Sequence, residues 1–189
     1  MILYVLFALA FAKIKGNKLV PLLKAYSLYP FVVAELIYML LQINIFLHNY
    51  NFIQYTSIIN RAYMYTLLLP IFVYKLYKPG ILGSLLMITG TFLNKLVMSH
   101  NGGKMPVFPS LSKVTGYYNE AAILTVDNIH ISGDESTKFK ILTDFIDVGY
   151  SILSIGDILI HSFIFIVIYY TVIEINKNLN NTNENLQEG

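Results

Sequence analysis

The chain has 189 residues, 56% of them hydrophobic and 13% charged, with a net charge of +2 and a mean hydropathy of +0.58. Soluble domains carry about 25% charged and roughly 45–50% apolar residues, so both departures point to a membrane, and the charge is too small to argue for nucleic acid. The lack of cysteine excludes disulfides, thiolate metal sites and cysteine nucleophiles.

A spanning helix needs about 20 mostly apolar residues. The chain offers five runs near that length, which predicts an all-α integral membrane protein with about five transmembrane helices. The first, about 1–15, is short and reaches further if Lys13 and Lys15 snorkel to the headgroups. Its lysines follow the apolar run, so it reads as a retained helix and not as a secretory signal. Ala8 and Ala12, four apart, offer a small-residue helix contact. A basic connector follows, with Lys13, Lys15, Lys18 and Lys24.

The second run, about 27–47, contains Pro30 and Glu35. The third, about 62–77, contains Pro70, which removes one backbone hydrogen bond and predicts a kink. "KLYKPG" is a tight basic turn. The fourth run, about 81–98, holds Asn94, and the fifth, about 151–173, holds Asp157 and His161. Residues 1–175 then form one membrane domain, and 176–189 a polar, frayed tail. With no Trp and 15 Tyr, any interfacial belt is built from tyrosine.

The lysine-rich short connectors belong on the cytoplasmic side. This puts the N-terminus outside, the C-terminus in the cytoplasm, and residues 99–150 on the outer face. The Ile, Lys and Asn usage suggests a bacterial cell membrane. A structureless connection as long as 99–150 is unusual, so a structured cap is expected. "PSLSKVTG" predicts a short helix with Pro109 in its first turn and Gly116 as its stop. "AAILTVDNIHI" fits either an extended or a helical segment. "FKILTDFIDVGYSIL" has the spacing of a surface helix resting on the bundle. No internal repeat supports an inverted-repeat transporter.

Several polar residues stand out in this apolar chain. In "NGGKMPV", Asn101, Gly102, Gly103 and Lys104 fit two readings. Consecutive glycine N–H groups with a lysine can form an anion-binding concavity, or the same turn can stop a helix. The spacing of a phosphate-binding P-loop is absent. Asp157 and His161, four apart, share a helix face and could bind a cation or relay a proton. The structural alternative gives Asp157 backbone donors in the glycine turn, or Lys95 or Lys104 as a partner. Glu35 is an intramembrane carboxylate needing an internal partner, a tyrosine or Lys24. His100, His130, Asp144 and Asp147 show no tight ligand cluster, so no metal or other cofactor is expected. The neighbours Ser99 and His100 do not make a dyad by adjacency alone.

Two stretches carry a family resemblance. "NGGKMPV" (Asn101 to Val107) and "SIGDILI" (Ser154 to Ile160) are similar to motifs of small bacterial multi-pass membrane proteins known as domain of unknown function 5317. The family pattern between them falls on His130, Thr137, Lys138, Leu142 and Asp144, and an asparagine before the glycines falls on Asn94. The resemblance is close from about 80 to 170 and extends to the first half in hydropathy. Thr143 stands where the family has glycine, Asp147 where it has proline, and Gly16-Asn17 where it has a glycine pair. The resemblance implies a membrane location and a shared fold, and no activity.

Three functions follow as expectations. The foremost is a non-enzymatic bundle in the lipid bilayer whose outer cap binds a small ligand, a lipid headgroup or a partner protein. Its site would draw on Asn101, Gly102, Gly103, Lys104, His130, Lys138, Asp144, Ser154, Gly156 and Asp157. The glycine turn and "SIGD" are expected to pack together. A small transporter would use Glu35 and Asp157, with Asn94 and His161 as further intramembrane polar groups. A membrane enzyme on a lipid-linked substrate would pair His100 or His130 with Asp144.

Overall fold

The computed structural model describes residues 1–49, 51, 52, 55–119 and 129–187. The helices are α1 (Ile2–Ile14), α2 (Tyr29–Phe46), α3 (Thr56–Thr66), α4 (Leu68–Val73), α5 (Tyr77–His100), α6 (Leu111–Val114) and α7 (Ile155–Gln187). Four short strands join them: β1 (Met105–Val107), β2 (His130–Ser132), β3 (Ile146–Asp147) and β4 (Ile152–Leu153). The chain is therefore mostly helical and not purely so.

Three stretches are helical, long and apolar enough to cross a membrane: Tyr26–Phe46, Tyr77–His100 and Ile155–Asn181. The other two expected spans are the shorter apolar helices Ile2–Ile14 and Ile58–Val73. The second of these breaks at Leu67, between α3 and α4. Pro70 has no N–H to give the Thr66 carbonyl and its ring crowds that group, so α3 ends at Thr66. The expected tail is instead helical through Gln187.

The chain forms two compact units, Met1–Glu35 with Arg61–Leu85 and His161–Gly189, and Leu36–Asn60 with Leu86–Ile160. The first has an apolar core that includes Ala8, Leu28, Phe31, Tyr63, Leu67, Ile164 and Val167. Ala8 and Ala12 are fully buried, as their spacing suggests. α1 ends on a glycine turn. The Gly16 N–H reaches the Lys13 carbonyl at 2.9 Å, the Asn17 N–H reaches that of Ala12 at 3.0 Å, and Gly16 has φ +84°. This paired arrangement satisfies carbonyls that no later turn can reach. Glu35 is buried in this unit, and among the described residues neither carboxylate oxygen has a hydrogen-bond partner. The expected tyrosine or Lys24 does not reach it; the charge it feels is the amino group of Met1.

The second unit is organised by β1. It pairs in parallel with β2, with Met105 opposite His130 and Val107 opposite Ser132. On its other edge Val107 bridges to Asp144. There the Asp144 N–H donates to the Pro106 carbonyl at 3.1 Å and the Phe108 N–H to the Asp144 carbonyl at 2.8 Å. β3 and β4 form an antiparallel hairpin, with Ile146 opposite Leu153.

α6 forms over Leu111–Val114, and Gly116 after it has φ +78°. Pro109 precedes the helix instead of starting it. The surface helix expected over 139–153 is replaced by a 3-10 turn (Lys140–Leu142) and the hairpin. One of its two aspartates is used elsewhere: Asp147 accepts the N–H groups of Ser110 and Ser112 at 2.7 and 2.8 Å, capping α6, and that of Gly149 at 2.9 Å. Burial works against the Asp147 charge, but these donors and the Ser112 hydroxyl hold its carboxyl below the usual range. The expectation for "AAILTVDNIHI" falls on residues 121–128, outside the described residues, except at its end, where His130 and Ile131 lie in β2.

Candidate functional site

The two motif stretches are a helix end and a helix start. α5 stops as the Gly103 N–H reaches back to the Met98 carbonyl at 2.8 Å. Gly102 and Gly103 have φ +68° and +81°, and a side chain on either would meet open space. Their requirement is conformational, which is the helix-stop reading of this turn. The start of α7 is a capping box over Ser154-Ile155-Gly156-Asp157. The Asp157 N–H donates to Ser154 Oγ at 2.9 Å, and the Ser154 N–H donates back to Asp157 Oδ2 at 3.0 Å.

The glycine turn and the capping box were expected to pack together; the residue that meets the box is Asn94. Its Nδ2 donates to Asp157 Oδ1 at 2.9 Å, and Ser154 Oγ donates to its Oδ1 at 2.9 Å. Gly156 makes room for this contact, because a Cβ there would lie 1.9 Å from Asn94 Oδ1. Gly90 does the same for the backbone: a Cβ on it would lie 2.3 Å from the Gly156 carbonyl oxygen. Asn101 turns the other way. Its Nδ2 donates to the Lys138 carbonyl at 3.0 Å, and the Lys138 N–H donates to its Oδ1 at 3.0 Å. Lys138 thus contributes its backbone, and the Lys104 N–H closes the turn on the Asn101 carbonyl at 3.3 Å.

β1 sets two further groups beside the box. His130 lies on one edge and Asp144 on the other, and His130 Nε2 is 3.3 Å from Asp144 Oδ2. The Asp144 side chain is 5% exposed and that of His130 32%. Burial, with the Asp157 charge close by, pushes the Asp144 carboxyl up to about 6 against the pull of His130. Among the described residues no donor reaches Asp144 Oδ1. Asp157 is within hydrogen-bonding reach of Asp144 once a proton sits between them. Asp157 already receives Asn94 and the Ser154 N–H, and Asp144, raised by its burial, is the member that takes the proton.

The result is a chain of contacts from His130 through Asp144 and Asp157 to Asn94 and Ser154. Such a chain can hold or pass a proton, or offer two carboxylates to a donor group. Among the described residues no group of three or more His, Asp or Glu side chains is placed to hold a metal ion. The other candidates lie apart from this chain. The His100 Nδ1 is 2.9 Å from the Leu96 carbonyl, and its ring stands edge-on to Phe139. His161 packs its ring against Tyr4 at 5.3 Å. Sequence reasoning missed Gly90, and it missed the capping box, whose Ser-x-x-Asp spacing before an apolar run was a usable signal.

The model of a family of unknown function, DUF5317, matches residues 19–169, so the likeness extends well into the first half of the chain. No curated protein and no solved structure matches the chain.

Proposed function

The chain belongs to the DUF5317 family, and we propose that it is a non-enzymatic multi-pass membrane protein whose outer-face cap binds a ligand at the His130–Asp144–Asp157 cluster. The bound group is a hydrogen-bond donor with positive charge, a small soluble amine or the amine of a lipid headgroup. The observation that carries this reading is Asp144, a buried carboxylate with one oxygen that no donor serves. Leaving such a group unmatched costs about 1–3 kcal/mol or more, and a cationic donor between Asp144 and Asp157 removes that cost. A proton does the same below about pH 6, so proton and ligand compete for one place.

The three apolar stretches of spanning length support the membrane setting. The lysine-rich short connectors support the N-terminus outside and the C-terminus in the cytoplasm. His130 and Asp144 are within the reach that acid–base chemistry needs. The cluster's one hydroxyl, Ser154, is occupied as a helix cap, which favours binding over nucleophilic catalysis. A transport reading draws support from Glu35, a buried carboxylate without a hydrogen-bond partner.

Native mass spectrometry of the full chain released from lipid nanodiscs tests the proposal. An amine-bearing species should be retained at pH 7.5, and Asp144→Asn and Asp157→Asn should both release it. Retention by both variants would overturn the assignment.

A further inference from the structure

A second candidate site lies in the first unit, where α1 and α7 leave a groove of about 450 Å³ between them. Its walls are Tyr4, Phe7, Phe11 and Ile14 of α1, and Ser162 and Phe165 of α7. The volume is that of a ligand pocket, and the lining is almost wholly apolar. Phe7, Phe11 and Ile14 are exposed along it. From Tyr4 to Ile14 the helix rises ~15 Å, at about 1.5 Å per residue. That is half of a hydrocarbon core of about 30 Å, the depth of one leaflet. The groove therefore has the length and polarity of a single acyl chain.

Its Ile14 end is basic. α1 stops there on the Gly16 turn, which carries Lys13, Lys15 and Lys18, all exposed. The Lys15 ammonium sits 5.6 Å from the centre of the Phe11 ring, directly on the groove wall. Lys18 is held by α7: its N–H donates to Asn176 Oδ1 at 2.9 Å, and Asn176 Nδ2 returns to its carbonyl at 3.0 Å. Asn176 lies two turns beyond Tyr169, whose ring packs on Phe11 at 5.3 Å. Among the described residues none of these three lysines is in an ion pair, and Glu174 nearby on α7 is paired with Lys177 at 3.9 Å. The next turn, Val20–Lys24, exposes Val20 and Leu23 beside Lys24, the mixture that lies in a headgroup layer.

We infer that this groove is a binding site for one anionic phospholipid, its acyl chain along Phe7, Phe11 and Ile14 and its phosphate between Lys15 and Lys18. An apolar slot one leaflet deep that ends in cations with no acidic partner among the described residues matches that molecule in both halves. The inference rests on the membrane reading above and is independent of the His130–Asp144–Asp157 cluster.

The test is native mass spectrometry of the full chain from nanodiscs of equal phosphatidylglycerol and phosphatidylcholine with identical chains. One phosphatidylglycerol should be retained in preference. A lysine near the surface is worth about fivefold in binding, so Lys15→Gln with Lys18→Gln should reduce the preference about 25-fold. Ala10, exposed on α1, also lines the groove, and Ala10→Phe, which fills it, should remove the retained lipid of either kind while leaving the helical circular dichroism unchanged. Equal retention of the two lipids, a preference that survives the double variant, or a second copy of the chain in place of lipid would each overturn the inference. A chain that leaves the membrane fraction without detergent would instead overturn the membrane reading itself.

Discussion

Asp157 and Glu35 are two carboxylates set early in long apolar helices, and the protein treats them in opposite ways. Asp157 is the third residue of α7 and receives Asn94 and the Ser154 N–H. Glu35 lies about two turns into α2, is buried where Asp157 is only half-buried, and among the described residues has no hydrogen-bond partner. The difference is one of position along a helix. The first four N–H groups of a helix have no partner within it, so a carboxylate there finds donors at hand. One turn later every N–H is spent, and a carboxylate must bring its own partner. Local geometry thus makes Asp157 a fixed part of its unit and leaves Glu35 with little to hold it.

Removing the better-held carboxylate should cost most. Asp157→Ala breaks the capping box and strands the Asn94 amide, a loss of about 4 kcal/mol from a cap and a charged hydrogen bond. It should appear as a lower thermal midpoint of the full chain in detergent micelles. A loss below about 1 kcal/mol would erase the contrast with Glu35.

The next effect is on pH dependence. The Asp144 carboxyl goes from the ordinary 3.8 to about 6 on folding. Between these values the folded chain binds more protons than the unfolded one, so stability falls as pH rises through the window. The span corresponds to about 3 kcal/mol, at about 1.36 kcal/mol per unit. Denaturation measured from pH 4 to 7 should show that fall, and Asp144→Asn should flatten it. The smallest effect is expected at Glu35. Glu35→Gln replaces a side chain whose oxygens have no hydrogen-bond partner among the described residues, so stability should change by less than about 1 kcal/mol. A clear loss in the same melting assay would mean that Glu35 is held by a partner after all.

Much of the site was legible in the sequence, and its wiring was not. Asn94, His130, Asp144, Ser154, Gly156 and Asp157 stand out as polar or small residues in an apolar chain, and they do meet. Their meeting was assigned to the glycine turn because both motifs end at helix termini. Two turns of α5 separate that turn from Asn94, and only the crossing permitted by Gly90 and Gly156 selects the latter. The spans were legible where the apolar run was long. Where Pro70 cuts one run and where the first is short, apolar helices still form but fall below the length of the other three. The apolar spacing over 139–153 looked helical, but Asp147 is engaged in capping α6 and Phe139 takes a left-handed turn at φ +56°. Neither demand is visible in hydrophobic periodicity.

β1 is three residues long and has neighbours on both edges. Pro106 fits in it because its missing N–H lies on the Asp144 edge, where the pairing begins at its own carbonyl. A strand this short cannot open on one edge and stay ordered on the other. Releasing Asp144 frees the Phe108 amide, and the Gly133 amide on the opposite edge loses the support of its acceptor, Val107. Amide hydrogen exchange at Phe108, Gly133 and Asp144 should therefore follow a single rate. In kinetic language, β1 with its two edges, β2 and Asp144, is one cooperative opening unit, in which His130 and Asp144 are joined or parted together.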